Sequence, residues 1–284
     1  MKALLIKIYQ PTAHYRMPFT YQRRHTYPLP PYSTVIGFLC NLLGIDYQGN
    51  ELYEQLKKCK LSVSGRFEQK LTEYIWFRNL SKSSHEKYFG SSELREKNGE
   101  INHIGGQSPM RIDVLENMKL NIHIVSEDEA FLNWLKNYLH NPVDRLETIH
   151  LGRAEDWLVF ESIKIVELES STRDKNYNHF FWIPQQLYSK NIAEHDTQEL
   201  DEIIPQQLYS ENINFDFAQA EGLFYNLPVF ATIKNYEQTH NRNAERSFSY
   251  MRSKLNDGAI KGIKYMYDKE SDIPVFLADL DTCN

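Results

Sequence analysis

"TYPLPPYSTVIGFLCNLLG", Thr26–Gly44, passes from a proline-stiffened turn straight into an apolar run. Pro28, Pro30 and Pro31 hold φ near about −65° and lack backbone donors, so this turn cannot pair inside a sheet. Ser33 or Thr34 is placed to cap a helix carrying Val35, Ile36, Phe38, Leu39, Leu42 and Leu43, with Gly44 as its stop. Upstream, "ALLIKIY" (Ala3–Tyr9) alternates as a strand, so the chain opens β then α.

Working outward, Leu52–Lys58 reads as a short second helix, and Leu61–Asn79 as long strand-like sequence. Residues 80–107 are polar and glycine-punctuated, a connection too long to be a plain turn. Met110–Val125 returns as a strand. Glu127–His140 places Phe131, Leu132, Trp134, Leu135, Tyr138 and Leu139 at helical spacing before Pro142, and Asp156–Leu168 is a further strand. The order β-α-β-β-α-β predicts an α+β, ferredoxin-like or RRM-like domain over residues 1–169, with a projecting excursion at about 80–107. Residues 170–284 are expected as a less regular, β-rich extension. There "PQQLYSKNI" (Pro184–Ile192) recurs as "PQQLYSENI" (Pro205–Ile213), a local tandem duplication rather than a solenoid.

The 284 residues, 41% hydrophobic and 13% aromatic, suffice for a sizeable core. No apolar stretch approaches the ~20 residues of a membrane span, and the N-terminal apolar run is too short for a signal peptide. Three cysteines without CxxC spacing point to a reducing, cytoplasmic setting and against a zinc site. The net charge of −6 is uneven: residues 1–125 hold 17 Lys/Arg against 11 Asp/Glu, residues 126–284 hold 15 against 27. A basic front half suits a polyanion, an acidic back half other proteins or solvent.

Catalytic signatures are missing: no GxSxG, HExxH, P-loop or GxGxxG occurs. Glu155 and Asp156 are adjacent, so in extended chain they face apart and make a poor acid–base couple. His14, His25, His85 and His103 lie in expected loops, where any of them can serve as a general base on RNA or as an RNA contact. Binding chemistry is richer. "HYRMPFTYQRRHTY" (His14–Tyr27) interleaves Arg16, Arg23, Arg24, His14 and His25 with Tyr15, Phe19, Tyr21 and Tyr27. Guanidinium forks suit phosphates and rings stack on unpaired bases, so this mixture fits single-stranded RNA. The start of the helix after Pro31 adds free N–H groups and a positive dipole end. Lys82, Lys87, Arg95 and Lys97 punctuate the excursion, flanked by Arg78 and Arg111, as a hairpin gripping a strand would require.

Three segments in register resemble the CRISPR-associated "Cas five" family of the RAMP superfamily. They are "TYPLPPYSTVIGFLCNLLG", "SPMRIDVLENMKLNIHIV" (Ser108–Val125) and "HLGRAEDWL" (His150–Leu158), the last most similar to subtype I-B relatives. The resemblance implies a non-catalytic subunit of a type I Cascade ribonucleoprotein complex that caps the 5′ handle of the CRISPR RNA. It implies partners in the backbone subunit and the large PAM-reading subunit, with target DNA contacted only indirectly and no cofactor or metal. The excursion at 80–107 would be the family's thumb. By position, Arg16 matches the basic residue after the first strand, Ser33, Thr34 and Gly37 the helix-start motif, and Arg153 the glycine-arginine turn. Some relatives of another subtype cleave precursor RNA themselves, so a metal-independent endoribonuclease is the alternative.

Overall fold

The computed structural model describes residues 1–18, 20, 23–46, 50–79, 96–97, 100–101, 106–185, 217–234 and 245–281. Its main elements are β1 (Lys2–Ala13), α1 (Tyr32–Leu42), α2 (Glu51–Lys57), β2 (Lys60–Arg66), β3 (Gln69–Asn79), β4 (Gly106–Val125), α3 (Glu129–Leu139) and β5 (Val159–Ser171). They continue with β6 (Phe180–Pro184), β7 (Leu223–Lys234), β8 (Glu245–Asn256), β9 (Tyr265–Asp268) and β10 (Ile273–Val275). Mostly sheet, with three helices among the described residues, the protein is mixed α and β.

One sheet runs β7-β8-β6-β2-β4-β1-β5-β9-β10. At its centre β2, β4, β1 and β5 are antiparallel neighbours, with Leu61↔Ile124, Leu4↔Ile124 and Leu4↔Ile165 in register. Leu4, Ile6 and Ile8 of β1, Leu120 and Ile122 of β4 and the apolar stripes of α1 and α3 share one core. β4 is 20 residues long because it serves two partners. Its C-terminal part pairs with β2, Lys60↔Val125 through Arg66↔Lys119, and its N-terminal part with β3, Gln69↔Glu116 through Asn79↔Gly106. Asn117, at φ 52°, lies where the two ladders meet. β3 and the N-terminal part of β4 therefore flank the expected excursion at 80–107, most of which lies outside the described residues.

Helix α1 corrects one expectation. Pro31, not Ser33 or Thr34, is its N-cap, with φ −68° and ψ 162° and no side-chain cap. The proline-fixed turn makes Tyr32 the first helical residue, and the N–H groups of Thr34 and Val35 both donate to Pro31 O. The Thr34 amide is thereby occupied, and the phosphate seat expected there loses one donor. The far end is as expected: Gly44, at φ +67°, donates to Asn41 O while Ile45 N–H donates to Cys40 O, a Schellman ending. A Cβ at Gly44 would meet Asp144 O at 2.5 Å, so glycine is required twice over.

Residues beyond 170 are more regular than expected. The boundary placed after residue 169 falls inside β5, and β6–β8 extend the central sheet beside β2. Trp182, fully buried, donates from Nε1 to Pro30 O at 3.1 Å and meets Tyr27 and Tyr225 edge-on. Trp182, Leu227, Val229, Phe230 and Met251 join the same core as α1. The proline turn thus rests on the C-terminal half. The second copy of PQQLYS, and all but the start of the first, lie outside the described residues.

Candidate nucleic-acid interface

The ribbon from His14 to Tyr27 folds back on itself, with Tyr15↔Tyr27 and Arg16↔Thr26 paired and Met17 N–H donating to His25 O. Its Arg23–Arg24 segment then joins β4 as a short parallel strand, Arg23↔Arg111 and Arg24↔Ile112. Because β3 lies on β4, Arg23, Arg111 and Tyr74 fall in one row across three strands. Paired residues share a sheet face and alternate residues return to it, so Trp76, Thr72 and Asp113 belong to this face too. Arg111 is exposed, and Tyr74 and Trp76 are 60% and 58% exposed with their rings in T-shaped contact at 6.2 Å. Two bare aromatic rings beside guanidinium groups are what base stacking and phosphate pairing require. Sequence reasoning took "EYIWF" only for strand. The pattern Tyr74-x-Trp76 was visible, but not that the face it occupies stays uncovered.

Asp113 organises the row. Its carboxylate is 1% exposed, yet it accepts from Arg23 Nε (3.2 Å) and Nη2 (3.0 Å), from Thr72 Oγ1 (3.0 Å) and pairs with His25 Nδ1 (2.9 Å). Lys70 Nζ stands 3.9 Å away. Burial alone would raise its pKa; the hydrogen bonds from His25, Arg23 and Thr72 outweigh that and hold it below the ordinary carboxylate value. Arg23, His25 and Lys70 keep about half their side-chain surface in solvent. This knot fixes the ribbon to the root of the excursion while leaving its cations reachable.

A second carboxylate ties the "LGRAED" turn. Asp156, fully buried, accepts from the backbone N–H groups of His14 (3.0 Å) and Arg153 (2.9 Å) and from Arg153 Nη2 (2.7 Å). Gln10 Nε2 donates to Leu151 O and Asp156 O, while Tyr15 Oη donates to Gln10 Oε1 at 2.6 Å. Gly152, at φ +115°, admits His14 O to 2.8 Å of where a Cβ would stand. Arg153 also pairs with Glu73 and Glu155, each at 3.5 Å. The pull of Asp156, Glu155 and Glu73 raises its pKa although burial opposes this.

The other expected site residues divide accordingly. Arg16 is exposed. Arg24 is half-buried. Tyr15 (1% exposed) and Tyr27 (6%) are core residues, a correction to their expected stacking role: their rings are already packed, and burial pushes the Tyr27 hydroxyl up to about 12. His14, 4% exposed, has its Nδ1–H on Asp113 O at 2.7 Å, and burial lowers its pKa. Arg153 keeps only 16% of its side-chain surface exposed and is paired with Asp156, Glu73 and Glu155, so it acts first as a structural strut. Ser33 and Thr34 are half-buried in the first turn of α1. Gly37 is exposed with nothing within 4 Å of its added Cβ, so no close approach explains it. Arg78 pairs in β3 opposite Gln107, its side chain lying outside the described residues together with Lys82 and Lys87. Among the described residues, no three His, Cys, Asp or Glu side chains gather as a metal site would need, and no helix is long and apolar enough to cross a membrane.

Comparison with curated proteins returned no match. Among solved structures, the chain is similar to one described as "CRISPR RNA-guided surveillance complex", at 12% identity and TM-score 0.48, covering 98% of this chain and 92% of that one. A CRISPR protein from Archaeoglobus fulgidus gives 12% identity and TM-score 0.42, over 98% of this chain and 100% of that one. A chain of the Type III-B Cmr-beta complex bound to cognate target RNA and AMPPnP gives 10% and 0.37, over 93% and 86%. With every TM-score below 0.5 these likenesses stay weak, and it is the sequence that decides. The family model for CRISPR-associated protein (Cas_Cas5) matches residues 3–221, and the chain belongs to that family.

Proposed function

We propose that this protein is a non-catalytic, RNA-binding subunit of a type I Cascade complex, of subtype I-B character, working in the cytoplasm. In this reading the β5-β1-β4-β2 centre with its helices is a ferredoxin-like RAMP core, β3 and β4 carry the thumb, and the 5′ handle of the CRISPR RNA lies along the thumb root. The backbone subunit and the large PAM-reading subunit are its neighbours, and target DNA is read by guide pairing rather than by this chain.

The observation that carries the reading is the row Arg23–Arg111–Tyr74 with Trp76 beside it, pinned by Asp113 yet open to solvent. Handle binding is measured by fluorescence anisotropy with a repeat-derived RNA. Arg16→Gln, Arg23→Gln and Arg111→Gln together should weaken it and flatten its salt dependence by about 2 in log–log slope. Unchanged binding would sink the site assignment.

The endoribonuclease alternative finds one supporting feature. His14 donates through Nδ1, so Nε2 is left as the basic nitrogen, and it has no hydrogen-bond partner. At 4% exposure that nitrogen is enclosed by protein, so a role as general base would require the ribbon to open. Incubation with repeat RNA in EDTA separates the two: specific cleavage lost in His14→Ala would reverse the choice.

A further inference from the structure

The sheet face turned away from the helices is covered only in part. On β1, Lys7 and Tyr9 alternate with Ile6 and Ile8; on β4, Lys119, Asn121 and His123 alternate with Leu120 and Ile122. Since Ile6, Ile8, Leu120 and Ile122 pack into the helix-side core, the intervening residues point the other way. Rows follow from the pairing: Leu5–His123–Ser62, then Ser162–Lys7–Asn121–Ser64, then Tyr9–Lys119–Arg66.

The C-terminal segment covers the first row. Phe276 N–H donates to Ser62 Oγ at 3.1 Å, and Asp268 of β9 meets His123 Nε2 at 3.2 Å, both groups fully buried. Apolar clusters stand on either side, one built on Ala3, Leu5 and Val166, the other on Phe181, Ile183 and Phe276. Between and below them the floor turns polar and cationic. Arg66 and Lys119 are exposed, Lys7 half-buried, and none of the three forms an ion pair among the described residues. His179, just ahead of β6, lies close enough to Arg66 and Lys7 that both lower its pKa, after the larger effect of burial. Ser64, 1% exposed in the middle row, has an Oγ with no hydrogen-bond partner.

A sheet face destined for an apolar cover carries apolar residues; this one leaves uncompensated cations over an unsatisfied polar floor. We infer that the ledge formed by Lys7, Tyr9, Arg66 and Lys119, with His179 beside them, is a second anion-binding surface, which takes the phosphate backbone of a single-stranded nucleic acid. Arg66 and Lys119 are paired across adjacent strands and Lys7 lies on the diagonal from Lys119, about 7–8 Å away, so the three charges form a track a phosphate backbone can follow. Tyr9, half-buried beside Lys119, donates its hydroxyl to Asn117 Oδ1 at 2.8 Å and keeps an acceptor lone pair, which a ribose hydroxyl can use and the carboxylates of an acidic polypeptide cannot. The ledge is on the opposite face from Ile6 and Leu120; Leu115 and Met118 both enter the helix-side core on either side of Asn117, so the alternation switches there and the Asp113 row faces away from the ledge.

The test uses the full chain and a fluorescein-labelled oligouridine, titrated also into Arg111→Gln/Tyr74→Ala/Trp76→Ala protein, so that binding at the thumb root is separated from binding at the ledge. Lys7→Gln/Arg66→Gln/Lys119→Gln should reduce affinity about tenfold or more near 0.1 M salt and lower the log–log salt slope by about 2. The charge-retaining Lys7→Arg/Arg66→Lys/Lys119→Arg variant should bind as the parent does. Independently of any variant, oligouridine should protect Lys7 and Lys119 of the unaltered protein from acetylation. Equal labelling with and without oligouridine, or an unchanged slope in a folded glutamine variant, overturns the inference. Protection by polyglutamate but not by oligouridine also overturns it, in favour of an acidic protein partner.

Discussion

Two buried carboxylates, Asp113 and Asp156, perform nearly the same chemistry with opposite results. Each gathers an arginine and part of the His14–Tyr27 ribbon, and each is at most 1% exposed. Around Asp113 the partners stay wet: Arg23 45%, His25 44% and Lys70 51% of side-chain surface. Around Asp156 they do not, since Arg153 keeps 16% and the remaining donors are the backbone N–H groups of His14 and Arg153 and the short Thr12 hydroxyl at 3.4 Å. A carboxylate that binds through backbone amides closes a loop; one that binds through long cationic side chains positions charges and leaves their outer surfaces for a ligand.

The sharpest way to break this comparison is Asp156→Asn. Its loss strands a guanidinium and two amides inside the turn, and should cost about 3 kcal/mol of unfolding free energy in urea denaturation. A cost no greater than that of Asp113→Asn would show that the two knots are energetically alike. Next in size is the double change Tyr74→Ala and Trp76→Ala. Stacking lost from two bases should weaken handle RNA by about 2 kcal/mol or more in anisotropy titrations. Exposed rings contribute little to folding, so the melting temperature should barely move. Unaltered RNA affinity would remove the rings from the interface.

Asp113→Asn should be intermediate, costing about 1–2 kcal/mol of stability because its partners can rehydrate. It should also raise amide exchange across residues 14–27, an effect Asp156→Asn would spread over 151–157 as well. Exchange confined to the same segment in both variants would merge the knots into one.

Acidification gives the smallest and most graded contrast. His14 has its pKa lowered in the fold, so below the unfolded value near 6.5 the unfolded chain binds more protons. Stability contributed by neutral His14 is thus present above about pH 6.5 and falls as pH drops through that range, by at most about 1.4 kcal/mol per pH unit. The Asp113 contribution, whose folded pKa is depressed, persists until pH falls below the unfolded carboxylate value near 4. Urea midpoints at pH 7 and pH 5 should differ less in His14→Gln than in the parent; equal differences would refute a buried neutral imidazole.

Much of the secondary structure was legible because it obeys short-range periodicity. Met110–Val125 alternates, α3 repeats at helical spacing behind its Asp128 cap, and Gly44 ends α1 where its φ of +67° demands. The charge-rich ribbon stood out in the sequence only by its composition. Which of its side chains face out was not legible, because Tyr15 and Tyr27 look identical to exposed aromatics until Gln10 and Trp182, remote in sequence, are brought against them.

By itself the sequence determined the order of elements up to residue 168, except that Leu61–Asn79 is two strands and not one, together with the proline turn and the family anchors, since each depends on neighbouring residues and backbone sterics. Only the tertiary structure decided which side chains Asp113 and Asp156 gather and that Tyr74 and Trp76 stay exposed. Burial, desolvation and the pairing of β3 and β4 with the Arg23–Arg24 segment are set by contacts across the chain, and no local pattern records them.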